Sequence, residues 1–150
     1  MQARCRAGTT ALTFGQMRVF LSCAESDREV ARELATRLEE AGHRVWSADS
    51  APGEDWNFRV REALNEAEAL VVLLSPKAMK SDSVRKEIEF ALGALQFRGR
   101  LIPVIVRPTS DIPWIFKKFP IVRLNKGMAE ASSQVADYVE HGFELTPAKA

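Results

Sequence analysis

Ala69-Leu70-Val71-Val72-Leu73-Leu74 is a run of six apolar residues closed by Ser75-Pro76. A strand with one wet face alternates apolar and polar residues. A strand that is apolar throughout is covered on both faces, as at the centre of a parallel sheet. Parallel neighbours need crossover connections, so strand-like and helix-like segments should alternate on either side of this run. Upstream, Arg18-Val19-Phe20-Leu21-Ser22 reads as a first strand. Val30, Leu34, Leu38 and Ala41 form one face of a helix that stops at Gly42, and Ser26-x-x-Glu29 has the form of a capping box opening it. Arg44-Val45-Trp46-Ser47 is a second strand, short enough for a sheet edge. Ala48 to Asp55 has no period and contains Pro52-Gly53, so it reads as a loop before a helix carrying Val60, Ala63, Leu64 and Ala67.

Downstream, Ser75-Pro76 caps the central strand and suits the start of a short helical turn, where the missing proline N–H costs nothing. The next helix follows Ser81, with Val84, Ile88, Ala91, Leu92 and Leu95 on one buried face and Glu87 at its edge. Leu101 to Val106 reads as a fourth strand, and Pro103, which cannot donate to a ladder, suggests a position toward the sheet edge. Asp111 to Phe116 suits a short irregular helix, Pro120 to Leu124 a fifth strand, and Met128 to Val139 a final amphipathic helix. The pattern predicts an α/β, flavodoxin-like three-layer sandwich: a five-stranded parallel sheet in the order 2-1-3-4-5 with helices on both faces. Ligands of such folds bind outside the carboxyl ends of the strands, here around the switch point between the first and third. Ser22 to Asp27, Ser47 to Asp55 and the segment from Ser75 onward reach that rim, and Glu87 is within reach of it.

Composition narrows the function classes. The 150 residues suit one domain, and 46% apolar with 27% charged residues is ordinary for a globular chain. Lys and Arg number 21 against 20 Asp and Glu, a net charge of +1, so no overall field points to nucleic acid or an anionic membrane. No apolar run approaches the roughly 18 residues of a membrane span. Cys5, Cys23, His43 and His141 give neither a disulfide framework nor metal-ligand spacing, and a reducing cytoplasm is the simplest compartment. Residues 1–16 carry Arg4 and Arg6 with no acid and read as a disordered tail, 17–142 as the domain, and 143–150 as a carboxyl-terminal tail. Met17, directly before the first strand, is an alternative start.

Several chemistries lack their residues. A receiver domain needs an aspartate ending the third strand, where Leu74-Ser75-Pro76 stands. Neither G-x-G-x-x-G nor G-x-x-x-x-G-K-[ST] occurs, nor a G-x-S-x-G elbow. Cys23 has no histidine partner identifiable in sequence. For Glu87 the ordinary alternative is a solvated side chain paired with Arg61 or Lys86.

Val19-Phe20-Leu21-Ser22 followed by Asp27, Arg44-Val45-Trp46, Pro52-Gly53-Glu54-Asp55-Trp56, Val72-Leu73-Leu74-Ser75-Pro76 and Ser81-x-x-Val84-Arg85-x-Glu87-Ile88-x-x-Ala91-Leu92 occur in consistent order. Together, from about Met17 to Val139, they resemble a bacterial Toll/interleukin-1 receptor (TIR) domain, standing alone as in Thoeris-type anti-phage systems. The resemblance implies cleavage of NAD, as substrate and not as cofactor, at the nicotinamide–ribose bond. Its products are ADP-ribose or a cyclic ADP-ribose signal for a downstream effector. It assigns Glu87 as the catalytic carboxylate. Ser22, Cys23, Trp46 and Ser83 become candidate substrate contacts, with plain packing the alternative for Trp46 and Trp56. Pro52, Gly53, Glu54 and Asp55 fall in the loop that family members use for self-association, which implies a homo-oligomer or filament; a plain turn fits those residues equally well.

Ser83 departs from the pattern, since the family commonly carries an aromatic four residues before its glutamate. Its replacement removes a stacking surface worth about 1–3 kcal/mol per base, leaving that part to Phe90, Trp46 or an assembly. Two functions stay open: an NAD glycohydrolase or ADP-ribosyl cyclase in antiviral defence, and a non-enzymatic TIR–TIR adaptor. A bacterial virulence factor acting on host NAD or host TIR signalling is a more remote third.

Overall fold

The computed structural model describes residues 16–47, 56–94, 97, 99–110, 112 and 114–142, with only the backbone described at 56–59. The expected tails and the loop from Ala48 to Asp55 thus lie almost wholly outside the described residues. The chain runs β1 (Arg18–Ser22), α1 (Arg28–Glu40), β2 (Arg44–Ser47), α2 (Trp56–Glu66), β3 (Ala69–Leu74), α3 (Asp82–Gly93), β4 (Leu101–Ile105), β5 (Val122–Arg123) and α4 (Met128–His141). The strands form one sheet in the order β2-β1-β3-β4-β5, every pairing parallel. This is the flavodoxin-like arrangement expected from the sequence.

The central run explains the layers. All six residues of β3 are buried, and its side chains alternate between two cores. Leu70, Val72 and Leu74 join Phe20, Leu101 and Ile105 under Val60 and Leu64 of α2 and Val84, Ile88 and Ala91 of α3. Ala69, Val71 and Leu73 join Val19, Leu21, Ile102 and Val104 under Ala31, Leu34 and Leu38 of α1 and Ala131, Val135 and Val139 of α4. Each large aliphatic side chain so buried contributes about 1.5–3 kcal/mol of transfer free energy, which is why neither face of the strand tolerates a polar residue. α1 ends at Glu40 and the chain turns away at Gly42, whose φ of +102° is a conformation that glycine adopts without a Cβ penalty.

Four local expectations are corrected. Asp27, not Ser26, occupies the N-cap of α1 after a 3-10 turn at Glu25–Asp27, and no side chain caps the helix; the Asp27 carboxylate is occupied elsewhere. Ala41 is exposed past the helix end, and Leu92 is 44% exposed, so α3 buries a narrower stripe of Val84, Glu87, Ile88 and Ala91. Leu95 lies outside the described residues. The fifth strand shrinks to Val122–Arg123. Pro103 sits in β4, which is flanked on both sides, yet β5 pairs only with Val104 and Ile105 and so does not extend to the proline.

Candidate functional site

Two periodicities bring Ser22 and Glu87 together. Along β1 the side chains alternate, so Ser22 falls on the same face as Phe20, the face that α2 and α3 cover. Along α3, Glu87 lies three residues after Val84 and four before Ala91, within the stripe that meets the sheet. The Ser22 hydroxyl donates to Glu87 Oε1 at 2.5 Å, and Glu87 is only 5% exposed. It is neither solvated nor paired with Arg61 or Lys86. Burial drives its carboxyl up from 4.5 to about 7, with the Ser22 hydrogen bond pulling the other way. Near neutral pH the group is therefore divided between acid and carboxylate.

Glu87 borders two cavities, one at the carboxyl ends of β1 and β2 and the other between α2 and α3. One, of about 300 Å³, is also lined by Cys23, Arg28, Arg32, Ser47, Ser81 and Ser83. The other, of about 480 Å³, has Val60, Leu64 and Phe90 as an apolar floor, with Arg61, Asp82 and Lys86 about it. Ser83 lines both, in the first turn of α3, where Ser81 caps the helix by accepting from the Val84 N–H at 3.3 Å. A short side chain at position 83 leaves room on either side of Glu87.

A buried carboxylate with a half-exposed arginine partner fixes the rim. Asp27 is fully buried; its Oδ2 accepts from the Ser75 hydroxyl at 2.5 Å and its Oδ1 from Arg107 Nε at 3.1 Å. Ser75 Oγ in turn accepts from the Ala78 N–H at 3.1 Å, holding the turn that leads into α3. One carboxylate thereby ties the segments following β1, β3 and β4 at the sheet's carboxyl edge.

The sequence candidates fall as follows. Ser22, Cys23 and Ser83 gather about Glu87. Trp46 is opposite Phe20 in the β1–β2 register and stacks on it, with centroids 5.0 Å apart and planes at 25°, and it lines neither cavity. Phe90 lines the second cavity and meets Phe97 edge to face at 6.3 Å. Pro52, Gly53, Glu54, Asp55 and the Trp56 side chain lie outside the described residues. His43 is buried at the amino ends of the strands. Its Nδ1 accepts from the Met17 N–H at 3.1 Å, so Nε2 carries the proton toward Glu140 Oε2 at 3.0 Å, remote from Cys23. Among the described residues no group of three or more His, Cys, Asp or Glu is arranged to hold a metal ion. No described helix is long and apolar enough to cross a membrane.

Sequence reasoning missed Arg28 and Arg32. They lie on α1 off its buried stripe, where arginine ordinarily signifies a solvated face. Their spacing of four, on the helix following a rim loop, was the available signal. Arg107 was missed because it follows β4 with no motif around it.

The family model described as "TIR domain" matches residues 19–138. Among solved structures, the TIR domain of the Toll-related receptor TRR-2 from Hydra magnipapillata superposes with a TM-score of 0.62 at 21% identity, covering 82% of this chain and 91% of that one. A prokaryotic SEFIR domain superposes with a TM-score of 0.65 at 15% identity, covering 89% and 98%. Both show the fold. No curated protein matches the chain by sequence. With the family model spanning β1 to α4, the chain belongs to the TIR domain family.

Proposed function

We propose that the chain cleaves the nicotinamide–ribose bond of NAD. The observation that carries this reading is the Glu87 carboxyl, buried, held by Ser22 and bordering both cavities. In the free protein the carboxylate is costly because burial strips its water. A cationic pyridinium, and then the positive charge left on the ribose as the bond breaks, offsets that cost. The interaction is thus strongest when the sugar is oxocarbenium-like, the condition for acceleration. The bonding pair departs with the ring nitrogen, nicotinamide leaves neutral, and no strong general acid is needed. Water adds to the anomeric carbon and releases a proton, giving ADP-ribose. A nucleophile within the same substrate, shielded from water, gives a cyclic product instead.

In this reading NAD is substrate, and the product serves as a signal in immune defence, read by a separate effector in the cytoplasm. A homo-oligomer or filament formed through TIR–TIR contacts, with Pro52, Gly53, Glu54 and Asp55 in the contacting loop, completes the proposal. Ser83 favours the second reading, a non-enzymatic TIR–TIR adaptor, because no aromatic stands there for a base to stack on.

Concentrated protein incubated with NAD, beside Glu87→Ala, tests the choice through nicotinamide release and product mass. Release by the wild type that is abolished in a folded variant supports cleavage. Equal release by both removes Glu87 from the mechanism, and no release at any protein concentration leaves the adaptor.

A further inference from the structure

The 300 Å³ cavity is electrically polarised. Its buried wall carries the Glu87 carboxyl; its exposed wall carries Arg28 and Arg32, the cations among its described lining residues. Four residues apart on α1, the two arginines rise about 6 Å along one helical face. Ser47 from β2, with Ser81 and Ser83 from the start of α3, adds hydroxyls to the same space. Paired planar guanidiniums among hydroxyls suit a multiply charged phosphate oxyanion. Glu25 also lines the cavity, 3.9 Å from Arg28 Nη1. Both side chains are exposed, so that pair is a weak competitor for an incoming phosphate.

We infer that Arg28 and Arg32 hold the pyrophosphate of a dinucleotide whose ribose meets Glu87, and that they select nucleotide over uncharged nucleoside substrates. The identity of the ligand rests on the glycohydrolase reading. The order of charges matches: guanidinium to phosphate at the open end, carboxyl to the sugar that becomes cationic at the closed end. At about 300 Å³ the cavity is at the small end of ligand sites, sized for one half of a dinucleotide.

ADP-ribose, which contains the pyrophosphate and has no bond left to cleave, separates binding from turnover. Calorimetry on the whole chain should show saturable ADP-ribose binding that weakens with salt. Arg28→Ala with Arg32→Ala should reduce the affinity on the order of tenfold to a hundredfold and flatten the salt dependence. The melting temperature without ligand should stay near wild type, since both side chains project from the surface. The paired lysine substitutions keep the charge and lose the fork, so they should fall between. No saturable binding by the wild type, or unchanged affinity in the double alanine variant, overturns the inference. Nicotinamide release with the same KM for NAD in both proteins also overturns it while leaving the glycohydrolase standing. Arginine-dependent ADP-ribose binding without any NAD cleavage upholds the phosphate subsite and sinks the glycohydrolase.

Discussion

Ser22 ends β1 and Glu87 lies in the second turn of α3, yet the hydroxyl of one donates to the carboxyl of the other at 2.5 Å across 65 residues of sequence. The contact opposes burial at Glu87: desolvation pushes the carboxyl up, this hydrogen bond pulls it down, and the balance stands at about 7. Ser22→Ala should therefore leave burial acting alone and move Glu87 further upward. If the carboxylate is the working form, the rising limb of nicotinamide release against pH shifts to higher pH. Activity falls at pH 7 and approaches wild type near pH 9. Proportional loss at every pH would show that Ser22 only packs.

Glu87→Gln should abolish turnover, by on the order of a hundredfold or more, while stabilising the fold at alkaline pH. The folded carboxyl holds its proton to about 7 against 4.5 ordinarily. The folded state thus binds the extra proton between those values. That contribution is complete below 4.5 and is lost as pH rises through 7. Glutamine copies the neutral form at every pH. The stability difference should open from 4.5, reach about 3 kcal/mol above 7, and stay level thereafter, as urea unfolding across pH would reveal. A pH-independent difference would mean that Glu87 titrates normally.

Most of the fold was legible because it rests on periods of two and 3.6. The unbroken apolar run Ala69–Leu74 gives the central strand, and a short Arg44–Ser47 gives the edge. Glu87 was legible as a residue worth inspecting, but its depth was not. A carboxyl in a helical stripe ordinarily rotates to solvent, whereas here the Ser22 hydroxyl from a distant strand meets it in the buried position. The capping box at Ser26 and Glu29 failed for a related reason. Asp27 took the cap position with its carboxylate already committed to Ser75 and Arg107, a tertiary cluster that local spacing does not encode.

Asp27→Asn tests that cluster. The amide keeps the shape but places at most one acceptor oxygen where the carboxylate used two, against Ser75 and Arg107. Loss of about 1–3 kcal/mol of stability is expected, read from the urea midpoint at unchanged slope. Arg107→Ala should couple to it in a double-mutant cycle, because each change removes the same contact. Additive effects would separate Arg107 from the Asp27 pin.

Ser83→Trp addresses the departure at the site itself. Ser83 is part-exposed and borders both cavities, so a larger side chain there projects into open space instead of the core. The indole would lie one turn before Glu87 on the same helix, where a base or nicotinamide ring leaving the carboxyl has a flat surface to meet. Stacking of about 1–3 kcal/mol should lower KM for NAD by about tenfold, with kcat changed less if the ring binds equally in ground and transition states. A rise in KM would mean that the open space beside Ser83 is itself where the substrate sits, and that the serine is an adaptation of this chain's own pocket.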